Sequence, residues 1–236
     1  DALERERGIT IFSKQAMLFA GDKEFTLLDT PGHVDFSAEM ERTLSVLDYA
    51  VLVISGSDGV QSHTRTLWRL LTRYEVPTFL FINKMDLAGA DKDALLRQLT
   101  ATLSAECADF SASQETRDEA LALCDEAALE QLLERGKIDD ALIAEMVKNR
   151  KVFPCFFGSA LKLDGVVDFL TALACFTREP VYPREFGAKV FKISRDAQGA
   201  RLTWLKVTGG ALRVKAPLIY RAQNQDYNEK ADQLRL

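Results

Sequence analysis

Two segments of the sequence place a carboxylate beside groups that could handle phosphate or a purine base. The first, Asp29-Thr30-Pro31-Gly32-His33, follows the apolar run FTLLD. An aspartate at a strand end can hold a magnesium ion through water, and a glycine leaves its backbone N–H free to approach a terminal phosphate. His33 could then orient an attacking water. An ordinary D-x-P-G turn with a surface histidine fits the same residues, because short motifs have many false positives.

The second segment is Asn83-Lys84-Met85-Asp86, directly after the apolar run TFLFI. A carboxylate in such a loop can accept two hydrogen bonds from the N1–H and 2-amino groups of guanine, a pair of donors that adenine lacks. Leaving such a group unpaired is costly, so one aspartate can separate GTP from ATP. Asn83 can contact the base and the neighbouring loop, while the stem of Lys84 lies against the ring. The alternative is a turn in which Asp86 caps a helix.

Two further segments are weaker by themselves. Ser159-Ala160-Leu161 follows the run VFPCFFG and could present backbone N–H groups to the guanine O6 atom. In Arg7-Gly8-Ile9-Thr10, the threonine offers a hydroxyl to magnesium and a backbone N–H to a γ-phosphate. All four segments follow one another in a consistent order beside apolar runs, which makes coincidence a poor explanation.

These segments need a sheet that brings them to one edge. Apolar runs of strand length lie at 24–32, 50–56, 77–84 and 152–160. Continuous apolar runs are typical of parallel strands that are covered on both faces, and ligands of such sheets bind at the carboxyl ends of the strands. Helical spacing of apolar residues lies between the runs, at 37–47, 64–74 and 166–176. The alternation predicts an α/β fold with a mostly parallel, doubly wound sheet.

The pattern changes twice along the chain. Residues 87–148 are rich in Ala, Glu and Leu at helical spacing, which predicts one helix of the main domain and a helical insertion at about 106–150. After a proline-containing linker at 180–183, residues alternate between apolar and polar around a Gly-Gly turn. We therefore expect one domain over 1–180 and the start of a truncated β-barrel domain over 187–236.

Composition narrows the class of protein. The chain has 236 residues and a net charge of −5; residues 187–236 carry ten Lys/Arg and four Asp/Glu, so the remainder sums to −11. The basic part is the better candidate for facing phosphate backbones. No apolar stretch is long enough to span a bilayer. Four cysteines without C-x-x-C spacing are interpreted as small buried hydrophobes in a reducing compartment, so we expect a cytoplasmic protein.

The combined motifs resemble those of the translational GTPases, within the elongation factor G group. The resemblance rests on RGIT, DTPGHVDF, SVLDYAVLVIS, DGVQSHT, FINKMD and FGSA, which run through nearly the whole front domain. It implies a GTP-binding domain over 1–180, with GTP or GDP and Mg²⁺ as cofactors. It also implies the ribosome, with its RNA and proteins, as the partner, and neither a membrane nor DNA.

The resemblance also implies roles for individual residues. Thr10 is the switch threonine on magnesium, and Ile9 is a hydrophobic gate beside the catalytic histidine. Asp29 is a metal-site residue that acts through water, Gly32 contacts the γ-phosphate, and His33 positions the hydrolytic water. The residues expected to read guanine are Asn83, Lys84 and Asp86, supported by Ser159, Ala160 and Leu161.

Within the group, the junction between the two domains resembles that of the tetracycline-resistance ribosomal protection proteins of the Tet M and Tet O type. This junction reads FGAKVFKISRDAQGARLTWLKVTGGALRVKAPL. That resemblance implies coupling of GTP hydrolysis to factor action and release, with removal of tetracycline from the ribosome. An elongation factor G-type translocase is the first alternative, followed by bacterial release factor three.

One expected element is missing from the sequence. No G-x-x-x-x-G-K-[ST] loop occurs, although in these enzymes it cradles the phosphates. The chain begins with Asp1, so we expect it to be a fragment whose first strand, phosphate loop and first helix lie upstream, and which binds GTP poorly by itself. A naturally truncated, non-hydrolysing binding module is the alternative hypothesis. A partner chain that supplies the missing strand is a third.

Overall fold

The computed structural model describes residues 14–30, 37–196, 198–222 and 225–235. The chain divides into two compact units, Asp1–Glu179 and Pro180–Leu236. The division falls at the start of the proline-containing linker, whose large apolar side chains, Val181 and Tyr182, are exposed and so join neither core.

The described part of the first unit begins with an antiparallel hairpin. Strands β1 (Lys14–Ala20) and β2 (Lys23–Asp29) pair from Lys14 opposite Asp29 to Ala20 opposite Lys23. Among the described residues β2 pairs with β1, whereas the sequence pattern places it in the same alternation as the later strands. The Lys23 ammonium donates hydrogen bonds to the carbonyls of Ala174 at 2.5 Å and Thr177 at 2.7 Å, which fastens the turn of the hairpin to the end of a helix.

A four-stranded parallel sheet forms the centre of the first unit. Its strands are β3 (Ala50–Ser55), β4 (Thr78–Asn83), β5 (Cys107–Asp109) and β6 (Phe153–Phe157), in the order β3-β4-β6-β5. All three neighbouring pairs are parallel. The carboxyl ends of the strands therefore lie along one edge. Strand β5 is absent from the sequence prediction, because three residues are too few to give a periodic pattern.

Helices connect these strands. They are α1 (Ser37–Leu44), α2 (Ser62–Arg73), α3 (Lys92–Thr102), α4 (Gln114–Ala122), α5 (Glu126–Arg135), α6 (Asp140–Lys148) and α7 (Val166–Phe176). Side-chain caps set several boundaries: the Asp91 carboxylate accepts the Ala94 N–H at 3.0 Å at the start of α3. Gly136, at φ 69°, ends α5 in the left-handed conformation that glycine adopts without a Cβ penalty.

Strand β4 separates two hydrophobic cores because successive side chains point to opposite faces of a sheet. Phe79 and Phe81 join one core, where both rings contact Phe169 of α7. Leu80 and Ile82, both fully buried, join the other core with residues of α2 and α3. The continuous apolar run of β4 is thus explained by burial on both faces.

Helices α4, α5 and α6 form a helical segment between β5 and β6. One carboxylate stabilises it: Asp118, 1% exposed, accepts the Ile138 N–H at 3.1 Å and pairs with Arg117 at 2.9 Å. The Arg117 guanidinium lies 5.8 Å from the centroid of the Phe110 ring. A buried charge that is paired and hydrogen-bonded in this way avoids most of its desolvation cost.

The second unit contains antiparallel strands. Strands β7 (Gly187–Arg195) and β8 (Arg201–Gly209) form one pair, and β9 (Pro217–Ala222) and β10 (Gln225–Lys230) form another. The predicted fold class, an α/β unit with a mostly parallel sheet and a following β unit, is confirmed. The roles assigned to the two units stay a prediction.

The cysteines differ in part from the sequence interpretation. Cys107 and Cys155 are buried, and burial raises the pKa of the Cys155 thiol. Cys175 is exposed, so its interpretation as a buried hydrophobe is wrong; it lies on the outer face of the amphipathic helix α7. Among the described helices, none is both long enough and apolar enough to cross a bilayer.

Candidate functional site

Asn83 connects the carboxyl ends of three neighbouring strands. It is the last residue of β4, and its backbone carbonyl accepts the N–H of Gly56, which directly follows β3, at 2.7 Å. Its side-chain Oδ1 accepts the N–H of Lys84 and the N–H of Ala160, which lies beyond β6, each at 2.8 Å. The two predicted base-reading segments are therefore joined by one amide oxygen.

Two glycines allow these loops to approach each other. A Cβ on Gly56 would lie 2.8 Å from Met85 Sδ and 3.1 Å from the Asn83 carbonyl oxygen. A Cβ on Gly158 would lie 2.2 Å from the Asp164 carbonyl oxygen, closer than real contacts allow. The Gly158 carbonyl also accepts the Met85 N–H at 3.0 Å, so its backbone lies directly against the loop after β4.

The loop after β6 closes on itself. Ser159 and Asp164 exchange two backbone hydrogen bonds, N–H to carbonyl oxygen in each direction, both at 3.0 Å. Inside this bridge the Leu163 N–H donates to the Ala160 carbonyl at 3.4 Å. Ser159 is 1% exposed, and its hydroxyl oxygen accepts the Lys162 N–H at 3.4 Å within the loop.

That hydroxyl is bonded to Asp86. The Asp86 carboxylate is hydrogen-bonded by the Ser159 side chain, and its Oδ2 lies 3.3 Å from the ammonium of Lys162. The hydrogen bond from Ser159, followed by the bond from the Asp86 backbone N–H and then by the bond and charge of Lys162, lowers the pKa of the Asp86 carboxyl. The carboxylate is therefore ionised throughout the neutral range and can act only as a hydrogen-bond acceptor.

The site keeps hydrogen-bonding capacity for a ligand. An ionised carboxylate has about four lone-pair positions. The Asp86 carboxylate is contacted by Ser159, by Lys162 and by its own backbone N–H, and its remaining acceptor capacity is available to a ligand. Within the part of the chain that the structure describes, the Leu161 N–H has no acceptor, whereas the N–H groups of Ser159 and Ala160 are already bonded. Lys84 is exposed and adopts a left-handed φ of 64°. This donor and acceptor set fits the edge of a guanine base.

Of the remaining predicted residues, the structure describes Asp29. Asp29 is exposed at the end of β2, opposite Lys14. Ile9, Thr10, Gly32 and His33 lie outside the described residues. No three His, Cys, Asp or Glu side chains of the described ranges are grouped to share a metal ion. Mg²⁺ that binds with a nucleotide usually keeps waters and takes few protein ligands, so a lone carboxylate such as Asp29 fits that requirement.

Lys162 and Asp164 are absent from the sequence prediction of the site. The sequence contains a signal for the first: Lys162 is the only basic residue between Lys151 and Arg178, and it follows the Ser159-Ala160-Leu161 segment directly. Asp164 acts through its backbone, so its residue type gives no comparable signal. The structure brings both residues to the Ser159 loop because the bridge at its base reverses the chain within six residues.

A parallel sheet with helices on both faces, and with polar loops joined at its carboxyl edge, defines an α/β domain that binds its ligand at that edge. The sequence profile of the elongation factor Tu GTP binding domain matches residues 1–179. The chain belongs to this family, and the predicted membership of the translational GTPases is confirmed.

Individual relatives agree with the predicted subgroup. The chain is 35% identical over 243 residues to the oxytetracycline resistance protein of Streptomyces rimosus, with 89% of this chain and 36% of that protein covered. It is 34% identical to the tetracycline resistance protein TetM of Streptomyces lividans, covering 95% of this chain and 39% of that protein. The chain thus spans a little more than a third of the length of these curated relatives.

A solved structure has the same fold. A crystal structure of a protein from Thermus thermophilus matches with a TM-score of 0.78 at 22% sequence identity, over 97% of this chain and 44% of that one. At this identity the similarity establishes the fold alone.

Proposed function

We propose that this chain forms the base-reading part of a guanine-nucleotide site in a GTPase that acts on the ribosome. One observation carries the proposal: Asn83 Oδ1 joins the loops after β4 and β6 at 2.8 Å, and the ionised Asp86 carboxylate of the first loop contacts Lys162 of the second while keeping acceptor capacity for a ligand. Membership of the family of GTP binding domains supports it.

In this proposal Asp86 accepts hydrogen bonds from the N1–H and 2-amino groups of guanine. Adenine offers no such donors, so the carboxylate discriminates against ATP. The Leu161 N–H donates to the guanine O6 atom, and the aliphatic stem of Lys84 lies against the ring. Asn83 keeps both loops at the distance that this recognition requires, supported by Ser159 and Ala160.

The phosphate side of the site is assigned to residues at the start of the chain. Thr10 and Asp29 would hold Mg²⁺, which neutralises charge on the phosphates when bound. Gly32 would donate its N–H to the γ-phosphate, while Ile9 shields the approach to His33. His33 would orient the attacking water, and the ribosome would place it correctly.

The proposed partner is the ribosome, and the similarity to tetracycline resistance proteins supports it. Tetracycline resistance proteins of 32–35% identity suggest that hydrolysis is coupled to removing tetracycline from the ribosome and to release of the factor. A protein that acts on ribosomes in this way would work in the cytoplasm.

The first test is guanine-nucleotide binding, measured with a fluorescent GTP analogue and excess ATP as competitor. Both this chain and the product of the complete open reading frame should be titrated. We expect the complete product to bind and ATP not to displace the analogue. Displacement by ATP, or no binding to the complete product, would contradict the proposal.

The second test measures turnover. GTP hydrolysis by the complete product should rise on addition of 70S ribosomes, and translation in a tetracycline-inhibited extract should recover. Stimulated hydrolysis without recovery would favour a translocase over a protection factor. Nucleotide binding without stimulated hydrolysis would favour a non-hydrolysing module.

A further inference from the structure

Lys162 contacts the Asp86 carboxylate by two routes. Its ammonium lies 3.3 Å from Asp86 Oδ2. Its backbone N–H donates to Ser159 Oγ at 3.4 Å, and the Ser159 hydroxyl is itself hydrogen-bonded to Asp86. One residue thus contacts the carboxylate directly and also orients Ser159, a second side-chain partner of the carboxylate.

We propose that Lys162 is a positioning residue for guanine recognition, which orients the Asp86 carboxylate so that both oxygens meet the base. This inference rests on the proposed function. The ammonium contacts Oδ2 alone, and after the bonds from Ser159 and from the Asp86 backbone N–H the carboxylate keeps acceptor capacity for the base. Lys162 therefore assists the ligand rather than competing with it.

Orientation matters because the terminal torsion of an aspartate is broad and roughly two-fold. A carboxylate that must accept two hydrogen bonds from one planar base has to lie close to the plane of that base. Contacts with Ser159 and Lys162, both on the same loop, restrict this rotation before the ligand arrives. Such restriction lowers the entropy lost on binding, which is the general advantage of a preorganised site.

The position of Lys162 is set by the loop that carries it. The backbone bridge between Ser159 and Asp164 encloses it. Gly165 follows at φ 69°, and a Cβ there would lie 2.8 Å from the Phe157 carbonyl oxygen. The Lys162 side chain itself is 62% exposed, so its removal should leave the loop folded. Exposed ion pairs make modest contributions, which limits the expected effect to roughly two- to fivefold in affinity.

The test compares GDP with inosine diphosphate, which lacks the 2-amino group and so needs only one oxygen of Asp86. Both affinities should be measured for the complete product as wild type, Lys162→Met and Lys162→Arg. Lys137→Met, at an exposed lysine of the helical segment, is the matched control. Circular dichroism and urea midpoints should verify that each variant is folded.

We expect Lys162→Met to lose about two- to fivefold in GDP affinity and less in inosine diphosphate affinity. Lys162→Arg should keep a GDP affinity close to that of the wild type. About 0.5 M salt should reduce the difference in GDP affinity between wild type and Lys162→Met, because an exposed ion pair is screened. Unchanged GDP affinity in Lys162→Met, or an equal loss for both nucleotides, would overturn the inference while leaving the proposed function intact. A wild type that binds no GDP would instead overturn the proposed function itself.

Discussion

The side-chain oxygen of Asn83 accepts a hydrogen bond at 2.8 Å from the backbone N–H of Ala160, 77 residues further along the chain. The same oxygen accepts the Lys84 N–H at 2.8 Å. These bonds hold the loops after two neighbouring parallel strands together, and Asp86 of the first loop contacts Lys162 of the second. The proposed base-reading site is therefore a property of the pair of loops, and neither loop forms it separately.

Replacing Asn83 by alanine should weaken this junction. Asn83→Ala removes the acceptor of two backbone N–H groups, and at about 0.5–1.5 kcal/mol per hydrogen bond we expect a loss of about 1–3 kcal/mol in the free energy of unfolding. GDP affinity should fall as well, because the two loops lose their common partner. Urea denaturation and nucleotide titration measure the two effects.

Asn83→Asp is the matched control, since it keeps an acceptor oxygen at the same position. It should retain most of the stability that the alanine variant loses. Equal destabilisation by both substitutions would mean that the amide NH₂ group, rather than the oxygen, holds the loops.

Exchanging Asp86 for asparagine should change the preferred base. An amide offers one acceptor and one donor, which match the N1–H and 2-oxo groups of xanthine and mismatch guanine. A lost hydrogen bond to a charged group is worth about 1.5–3 kcal/mol, so GDP affinity should fall roughly 10- to 100-fold while xanthosine diphosphate gains. Competition titrations of the complete product measure both.

Asp58→Asn is a suitable control, because Asp58 is an exposed aspartate in the loop after β3, at the same edge of the sheet. It should leave the preference for GDP unchanged. If Asp86→Asn keeps that preference too, Asp86 does not read the base.

The stability of the helical segment should depend on pH through Asp125. Its carboxylate forms an ion pair with Lys151 and caps α5 by accepting the N–H groups of Ala127 at 3.0 Å and Ala128 at 3.3 Å. The bond to Lys151 and the bonds to these backbone groups lower the pKa of the Asp125 carboxyl. A lowered folded-state pKa gives stability that is present above the unfolded value, about 3.9, and is lost as pH falls through the folded value.

We therefore expect the free energy of unfolding to fall more steeply for wild type than for Asp125→Asn as pH is lowered from about 5 to about 3. Asparagine keeps a capping oxygen but does not titrate. Urea denaturation at several pH values measures the slopes. Asp140→Asn, at an exposed position in the first turn of α6, is the control and should keep the wild-type slope. If the free energy of unfolding has the same pH dependence in wild type and Asp125→Asn, the Asp125 carboxylate does not contribute to this stability.

His33 should matter for turnover and not for binding. Positioned acid–base groups typically contribute about 10²–10⁴-fold, so His33→Ala should reduce ribosome-stimulated GTP hydrolysis by about that factor with nearly unchanged GDP affinity. The chain contains one other histidine, His63 in the first turn of α2, and His63→Ala is the control. If His33→Ala hydrolyses GTP at the wild-type rate, His33 does not orient the attacking water.

Local sequence patterns predicted the regular elements of the first unit well. The run at 77–84 contains β4 (Thr78–Asn83), and the helical spacing at 166–176 coincides with α7 (Val166–Phe176). Burial on both sheet faces requires a continuous apolar strand, and burial on one face requires helical spacing, so these elements leave a trace in sequence. The hairpin strand β1 and the short strand β5 leave little trace, because neither has a long buried face.

The sequence by itself determined which residues could read a base and on which loops they lie, because residue type and position after an apolar run are local properties. Only the tertiary structure decided that Asn83 Oδ1 joins Ala160, that Ser159 bonds Asp86, and that Lys162 reaches the same carboxylate. Those contacts connect residues up to 77 positions apart through parallel strands that are neighbours in the sheet. Pairing of parallel strands is set by the packing of the whole sheet, and no local pattern encodes it.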